Sequence, residues 1–415
     1  MPGMALFAQR LLYQWLLWLA LPVILLRLLL RGLKERGYWR HIPQRFGFGS
    51  SPMRGATWIH AVSVGEARAA APLVENFLAQ GKRVLVTCMT PAGRATLEQL
   101  FASRVQIRYL PYDYAWAVRR FLRRARPERG IIMETELWPN LVRESARNNI
   151  PLSLVNARLS EKSANGYHKL AALAHATLQG FTVVAAQTTE DARRLRELGA
   201  NPVTVTGNLK FDIDPPAGQL ALGAGFRTLI GSRPIWLAAS TRDGEEKQIL
   251  QALARAPKNV LLILVPRHPQ RFDQVAGLIR AAGFRMQRRS ESQPVEKETQ
   301  VWLGDSLGEM FAYYVAADCA LVGGSLLPYG GQNLIEACAV GCPVLVGPHT
   351  ENFRLVAEEA IRQGAAMRIL DANDWRTQAT ALDENAGQRA RMGAAGKQFA
   401  AAHKGAAAKV MALLN

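Results

Sequence analysis

The first residue in this sequence with a type and place suited to chemistry is Glu66, in HAVSVGEARAA at residues 60–70. It stands between a stretch that reads as a buried strand and one that reads as a helix closed by Gly81. Two roles are open to it. Ser63 precedes it by three residues, the spacing of a capping box, so it can cap the helix. It also falls at the carboxyl end of a strand and the amino end of a helix, where parallel α/β sheets place ligands. There it can take a proton from a bound hydroxyl. At a helix start the carboxylate is expected to stay ionised at neutral pH. Glu136, in METELWPN, follows the strand candidate GIIMET in the same manner; the alternative for it is a turn carboxylate paired with a cation.

A second set of residues could hold an anion. LVGGSLLPYGGQNLIEACAVGCPVLVGP, residues 321–348, gathers Gly323, Gly324, Gly330 and Gly331 before a short helix. Glycines let backbone approach a ligand closely. The helix, expected to begin near Gln332, would turn its free N–H groups and positive dipole end toward an anion. Glu336 lies one turn in, where it can accept hydrogen bonds from ribose hydroxyls. Arg267 and His268 stand directly at the end of the strand candidate NVLLILVPR, a position suited to phosphate or base contact. Tight turns and solvated helix residues are the plainer reading of these features.

The elements that would position these groups alternate. TWIHAV, KRVLVTCM, VQIRYL, GIIMET, PLSLVN, TVVAAQ and PVTVTG read as strands, most of them separated by helical stretches such as TEDARRLRELG. The pattern pauses at NLKFDIDPPAG and restarts with RPIWLAAS, NVLLILVPR, TQVWLGD, CALVGGS and CPVLVGP. Alternation of this kind means parallel sheets covered by helices on both faces. The expected fold class is therefore α/β, with two doubly wound, Rossmann-like domains and a cleft between them as the site. The first domain is expected over residues 46–212, and the second over 225–415 with its C-terminal helices. No G-x-G-x-x-G follows the first strand, so a dinucleotide site has little support.

Composition narrows the partners. The 415 residues carry 51 Lys plus Arg against 33 Asp plus Glu, a net charge of +18, and are 49% apolar. That fits a globular protein with an anionic partner. LLYQWLLWLALPVILLRLLL, residues 11–30, is interrupted only by Gln14 and Arg27. As a helix it would be ~30 Å long, enough to cross a bilayer core, although it could also lie in the interface. Arg31, Lys34, Arg36, Arg40 and Arg45 follow it, which places the bulk of the chain on the cytoplasmic side. Residues 1–45 are thus expected to form a membrane anchor with a basic flank, facing an anionic membrane surface. The basic stretch AVRRFLRRARPERG lacks interleaved aromatics and reads as a solvated helix face, so nucleic acid is not an expected partner. Cys88, Cys319, Cys338 and Cys342 read as packed free thiols, with no grouped ligands for a metal.

HAVSVGE, METELWPN, TGNLKFD, AASTRDGEE, PRHPQRF, GDSLGEM and GGSLLPYGGQN followed by GPHTENF occur in this order. Together they resemble the Kdo (3-deoxy-D-manno-octulosonic acid) transferases, GT-B glycosyltransferases of lipopolysaccharide assembly. The resemblance runs from the apolar segment to about residue 355. Tyr329 and Gln332 depart from it, since many relatives carry His at both places. The resemblance implies an inverting transfer of Kdo from CMP-Kdo to a lipid A precursor at the inner membrane, with no metal and no cofactor. It implies that Glu66 is the general base and that Glu136 and Lys210 support the transition state. It also implies that CMP is held by Pro266 and Arg267, by Leu307, Gly308 and Glu309, and by Asn333, Leu334, Ile335 and Glu336. Another nucleotide-sugar enzyme of the same fold, such as an epimerase, and a membrane-bound nucleotide-binding protein without catalysis are the alternatives.

Overall fold

A computed structural model describes residues 2–49 and 53–415. In it the chain divides into two units, one running to Asp212 and taking in Gly405–Asn415, the other spanning Ile213–Lys404.

The first unit is built on β1 (Thr57–His60), β2 (Val84–Cys88), β3 (Gln106–Tyr109), β4 (Arg129–Met133), β5 (Leu152–Ala157), β6 (Val183–Ala186) and β7 (Val203–Val205). Their order in the sheet is β3-β2-β1-β4-β5-β6-β7, and every neighbouring pair is parallel. Alternate residues of each strand feed opposite faces. Trp58, Leu85 and Ile132 pack with Phe121 and Leu141 on one face. Ile59, Val84 and Val86 pack with Leu73, Val74 and Phe77 on the other. Both faces are covered, which is why these strands are apolar runs instead of alternating ones.

The second unit repeats the plan with β8 (Ile235–Thr241), β9 (Leu261–Pro266), β10 (Met286–Arg288), β11 (Val301–Leu303), β12 (Cys319–Val322), β13 (Val344–Val346) and β14 (Ala366–Arg368). The order is β10-β11-β9-β8-β12-β13-β14, again all parallel. The edge strands β10 and β14 are additions to the sequence reading.

One expectation about the second domain is corrected. The last helix, Ala406–Leu414, belongs to the first unit. The Asp212 carboxylate accepts from the backbone N–H of Gly405 at 3.0 Å and of Ala407 at 2.6 Å, which fixes where that helix starts. Val410, Met411 and Leu414 then bury against the cluster of Leu73, Val74 and Leu209.

The apolar N-terminal segment is one helix, Pro2–Lys34, longer at both ends than the run of residues 11–30. It is long and apolar enough to cross a membrane by length and composition. Arg45, counted with the basic flank, is instead buried: its guanidinium lies 4.0 Å from the centre of the Tyr109 ring and donates to the Met89 carbonyl at 3.0 Å.

Candidate active site

In the first sheet the chain order reverses between β1 and β4, the position at which open α/β sheets hold ligands. Both loops there carry carboxylates. After β1, Ser63 caps the helix Val64–Ala79, its hydroxyl accepting from the Glu66 N–H at 3.4 Å. Glu66 returns the arrangement: one carboxylate oxygen accepts from the Val62 N–H at 2.8 Å and the other from the Ser63 hydroxyl at 3.0 Å. Capping is therefore real. It leaves Glu66 only 7% exposed.

That burial overturns the expectation of a fully ionised carboxylate. Loss of solvent, reinforced by the negative charges of Glu134 and Glu136, pushes Glu66 up to about 7. The helix start and the two hydrogen bonds favour the charged form, but desolvation outweighs them. A carboxyl poised near neutrality is suited to exchanging a proton at physiological pH.

After β4, Glu134 has a φ of 58°, a left-handed conformation uncommon for a non-glycine residue. Its carboxylate lies 2.5 Å from the Lys210 ammonium. The sequence reading considered a cation partner for Glu136; the structure gives that partner to Glu134, which sequence reasoning passed over although METELWPN displays both acids. Glu136 instead accepts from the Trp138 indole N–H. Burial, with Glu134 nearby, raises it above the usual carboxylate range. Trp138 also stands edge-on to His60, which is wholly buried and bonded to Thr87, and burial lowers its imidazole to about 4.

Lys210 reaches this edge from beyond β7. It lies in the short 3-10 turn Leu209–Phe211, which Asn208 and Asn156 fix through the N–H groups of Lys210 and Leu209, each at 2.9 Å. Its ammonium would stand 3.9 Å from a Cβ placed on Gly65. Glu66, in the first turn of the helix after β1, and Glu134, Glu136 and Lys210, in the segments after β4 and β7, thus stand at the carboxyl edge of one sheet, and the Lys210–Glu134 pair joins the last two segments.

In the second unit the residues expected to hold a nucleotide stand at the carboxyl ends of three strands: Pro266 closes β9 and Arg267 follows it, Leu307, Gly308 and Glu309 follow β11, and the glycine loop follows β12, one strand beyond β8. Gly324, Gly330 and Gly331 have φ of 68°, 84° and 77°. At Gly323 a Cβ would meet the Ser240 carbonyl oxygen at 2.5 Å. Glycine is required there by close approach and elsewhere by backbone angle. Glu245, fully buried, holds the loop by accepting from the N–H groups of Arg242, Gly324 and Leu326 at 2.8, 2.7 and 2.9 Å. Sequence reasoning noted its motif but not this role.

The helix expected near Gln332 starts later, as Ile335–Val340. The Asn333 side chain accepts from the Ile335 N–H at 3.1 Å, so part of the expected N-terminal donor set is already engaged. Leu334 precedes the helix as its cap residue, and Glu336 is half-buried in the first turn. Gln332, a departure from the Kdo transferase pattern, accepts from Arg267 at 3.3 Å. Tyr329, the other, donates to the Asp243 carbonyl at 3.0 Å. Glu309 is paired with Arg289 through two contacts of 3.1 and 3.0 Å. All four cysteines are free and buried.

Comparison with known proteins bears on the family and the fold. The profile of a family described as 3-Deoxy-D-manno-octulosonic-acid transferase (kdotransferase) matches residues 40–213. The chain is 43% identical to the 3-deoxy-D-manno-octulosonic acid transferase of Bordetella pertussis, over 95% of this chain and 96% of that one. It is 37% identical to the enzyme of the same name from Haemophilus influenzae, over 98% of each. A glycosyltransferase from Rickettsia africae superposes with a TM-score of 0.59 at 11% identity, covering 86% of this chain and 97% of that one. UDP-GlcNAc 2-epimerase from Neisseria meningitidis superposes at 0.57 and 15% identity, over 86% and 99%. At such identities these structures show a shared fold, GT-B, and nothing of activity. The two near-full-length relatives decide the family: the chain is a glycosyltransferase and belongs to the 3-deoxy-D-manno-octulosonic acid (Kdo) transferases.

Proposed function

We propose that Glu66 is the general base of an inverting Kdo transfer from CMP-Kdo to a hydroxyl of a lipid A precursor. The protein is a Kdo transferase of lipopolysaccharide core assembly; the roles of its residues are our reading. The acceptor oxygen bonds to the anomeric carbon of Kdo, the bond from that carbon to the phosphate oxygen breaks, and CMP leaves with the electron pair. The acceptor's proton passes to Glu66. The observation that carries this role is the buried, doubly hydrogen-bonded Glu66 carboxyl, held at about 7. A base of that affinity is partly ionised at neutral pH and still takes up a proton readily.

In this reading Lys210, held by Glu134, and Glu136 meet the charges that change as the bond breaks. Arg267 and Pro266, the loop Leu307–Gly308–Glu309 and the segment Asn333–Glu336 hold CMP, with Gly323, Gly324, Gly330 and Gly331 giving the backbone room. The anchor helix and Arg31, Arg36 and Arg40 keep the enzyme on the cytoplasmic face of the inner membrane, against anionic lipid, where a lipid acceptor is supplied.

Mass analysis of the product formed from CMP-Kdo and a lipid A precursor tests the reaction. The expected product is acceptor plus Kdo, with release of CMP. Conversion of a nucleotide-sugar with no acceptor present would instead favour epimerase chemistry.

A further inference from the structure

The N-terminal helix Pro2–Lys34 is docked on the first unit by polar contacts along one side. The Gln9 side chain accepts from the Leu173 N–H at 2.9 Å. Tyr13 donates to the buried Asp113 at 2.8 Å, and Gln14 to Asn140 at 2.7 Å. The Leu17 carbonyl accepts from Tyr114 at 2.7 Å, and the Trp18 ring lies 5.5 Å from that of Tyr114. Asp113 and Asn140 are not incidental partners: Asp113 also accepts from the N–H groups of Asn140 and Leu141 at 2.9 and 2.7 Å.

These contacts decide the orientation. A helix crossing the bilayer cannot have residues 9–18 hydrogen-bonded to a folded α/β unit and bury the same residues in hydrocarbon. The remaining stretch, residues 19–33, spans about 22 Å at about 1.5 Å per residue. The hydrocarbon core is about 30 Å thick. What is left after docking is too short to cross.

The helix also exposes apolar side chains from Met4 to Leu33. Met4, Phe7, Trp15, Leu19 and Val23 are 74%, 65%, 67%, 69% and 64% exposed. Arg10 falls between Phe7 and Trp15 along the helix, and Arg27 and Arg31 lie toward its C-terminal end. Beside Arg10, a cavity of about 380 Å³ is lined by Arg143 and Arg147 together with Val142 and Leu173. Arg143 and Arg147 share one carboxylate, Glu144. An apolar stripe accompanied by the cations Arg10, Arg27 and Arg31 matches one leaflet of an anionic bilayer, apolar side down and headgroups level with the arginines.

We propose that the helix lies along the membrane in a single leaflet, clamped to the catalytic unit by the contacts of Gln9, Tyr13, Gln14 and Leu17, and does not cross. This rests on the membrane attachment proposed above and specifies its form. Because Asn140 lies in the first turn of the helix that follows Glu136, the clamp also ties the leaflet to the loop bearing that residue.

Side-specific thiol labelling tests it on the full chain. The four native cysteines are buried, so background is low. Gly3→Cys and Gly277→Cys, where a Cβ meets nothing within 4 Å, report the helix start and the second unit. Right-side-out and inverted membrane vesicles are treated with a membrane-impermeant maleimide. In-plane anchoring predicts that both cysteines label in the inverted vesicles and neither in the right-side-out ones. Labelling of Gly3→Cys only from the side opposite Gly277→Cys, or only after detergent, overturns the proposal. Recovery of the protein in the soluble fraction overturns membrane attachment itself, and is told apart before any labelling.

Discussion

The Lys210 ammonium and the Glu134 carboxylate are 2.5 Å apart, although their strands, β7 and β4, are separated by two others in the sheet. The pair ties a loop from the sheet's edge to a loop at its switch point. It also sets the electrostatics of Glu66, because the Glu134 charge is the largest contribution after burial to its raised proton affinity. Glu134→Gln removes that charge. The acid limb of the pH–rate profile, controlled by the free base, is then expected to move below about 7. Rates measured across pH 5–9 check this; an unmoved limb detaches Glu134 from Glu66.

The same shift is a statement about stability. Glu66 binds its proton more tightly folded, at about 7, than its ordinary value of 4.5. The folded state is therefore favoured while the group is protonated, and stability falls as pH rises from about 4.5 to about 7. Glu66→Gln takes out this term. Above pH 7 the variant is expected to be more stable than the parent by roughly 1–3 kcal/mol, and the difference should shrink toward pH 4. Denaturant titrations at several pH values measure it. A variant less stable at pH 8 than the parent contradicts the raised affinity.

Glu245 is expected to act on nucleotide binding without touching nucleotide. Glu245→Ala leaves the N–H groups of Arg242, Gly324 and Leu326 without their acceptor. Each unsatisfied buried donor costs about 1–3 kcal/mol. The expected outcome is a loss of several kcal/mol in stability and, in whatever fraction remains folded, weaker CMP binding. Thermal unfolding read beside a CMP titration checks both. CMP affinity unchanged in the folded variant would show that the glycine loop keeps its shape unaided.

Glu336→Ala tests the donor site directly. A charged hydrogen bond to ribose contributes about 1.5–3 kcal/mol, so CMP affinity should fall roughly tenfold or more. Calorimetry that finds the affinity unchanged removes Glu336 from the ribose.

The sheets were legible in the sequence because parallel strands buried on both faces are uninterrupted apolar runs, as in TWIH and LLILVP. β10 and β14 were not, being three-residue edge strands with little apolar pattern. Glu66 was legible through its place between strand and helix. Its proton affinity was not, since burial and the approach of Glu134 depend on a loop some seventy residues away. Glu134 itself stood in a recognised motif, but the left-handed backbone that turns it toward Lys210 has no sequence signal. The late start of the Ile335 helix traces to the Asn333 side chain competing for a backbone N–H, as short polar residues do at helix ends. Tyr13 and Asp113 are 100 residues apart, and only the fold brings them together.

Glu66→Gln, assayed for transfer of Kdo from CMP-Kdo to a lipid A precursor, tests the assigned base most directly. Glutamine keeps the size of the side chain and can still accept from the Val62 N–H, so the cap survives while the proton acceptor is lost. Turnover is expected to fall by a factor of about 10²–10⁴, with CMP affinity and the folded state preserved. Near-normal transfer by this variant would contradict the assignment and leave Glu66 as a helix cap alone.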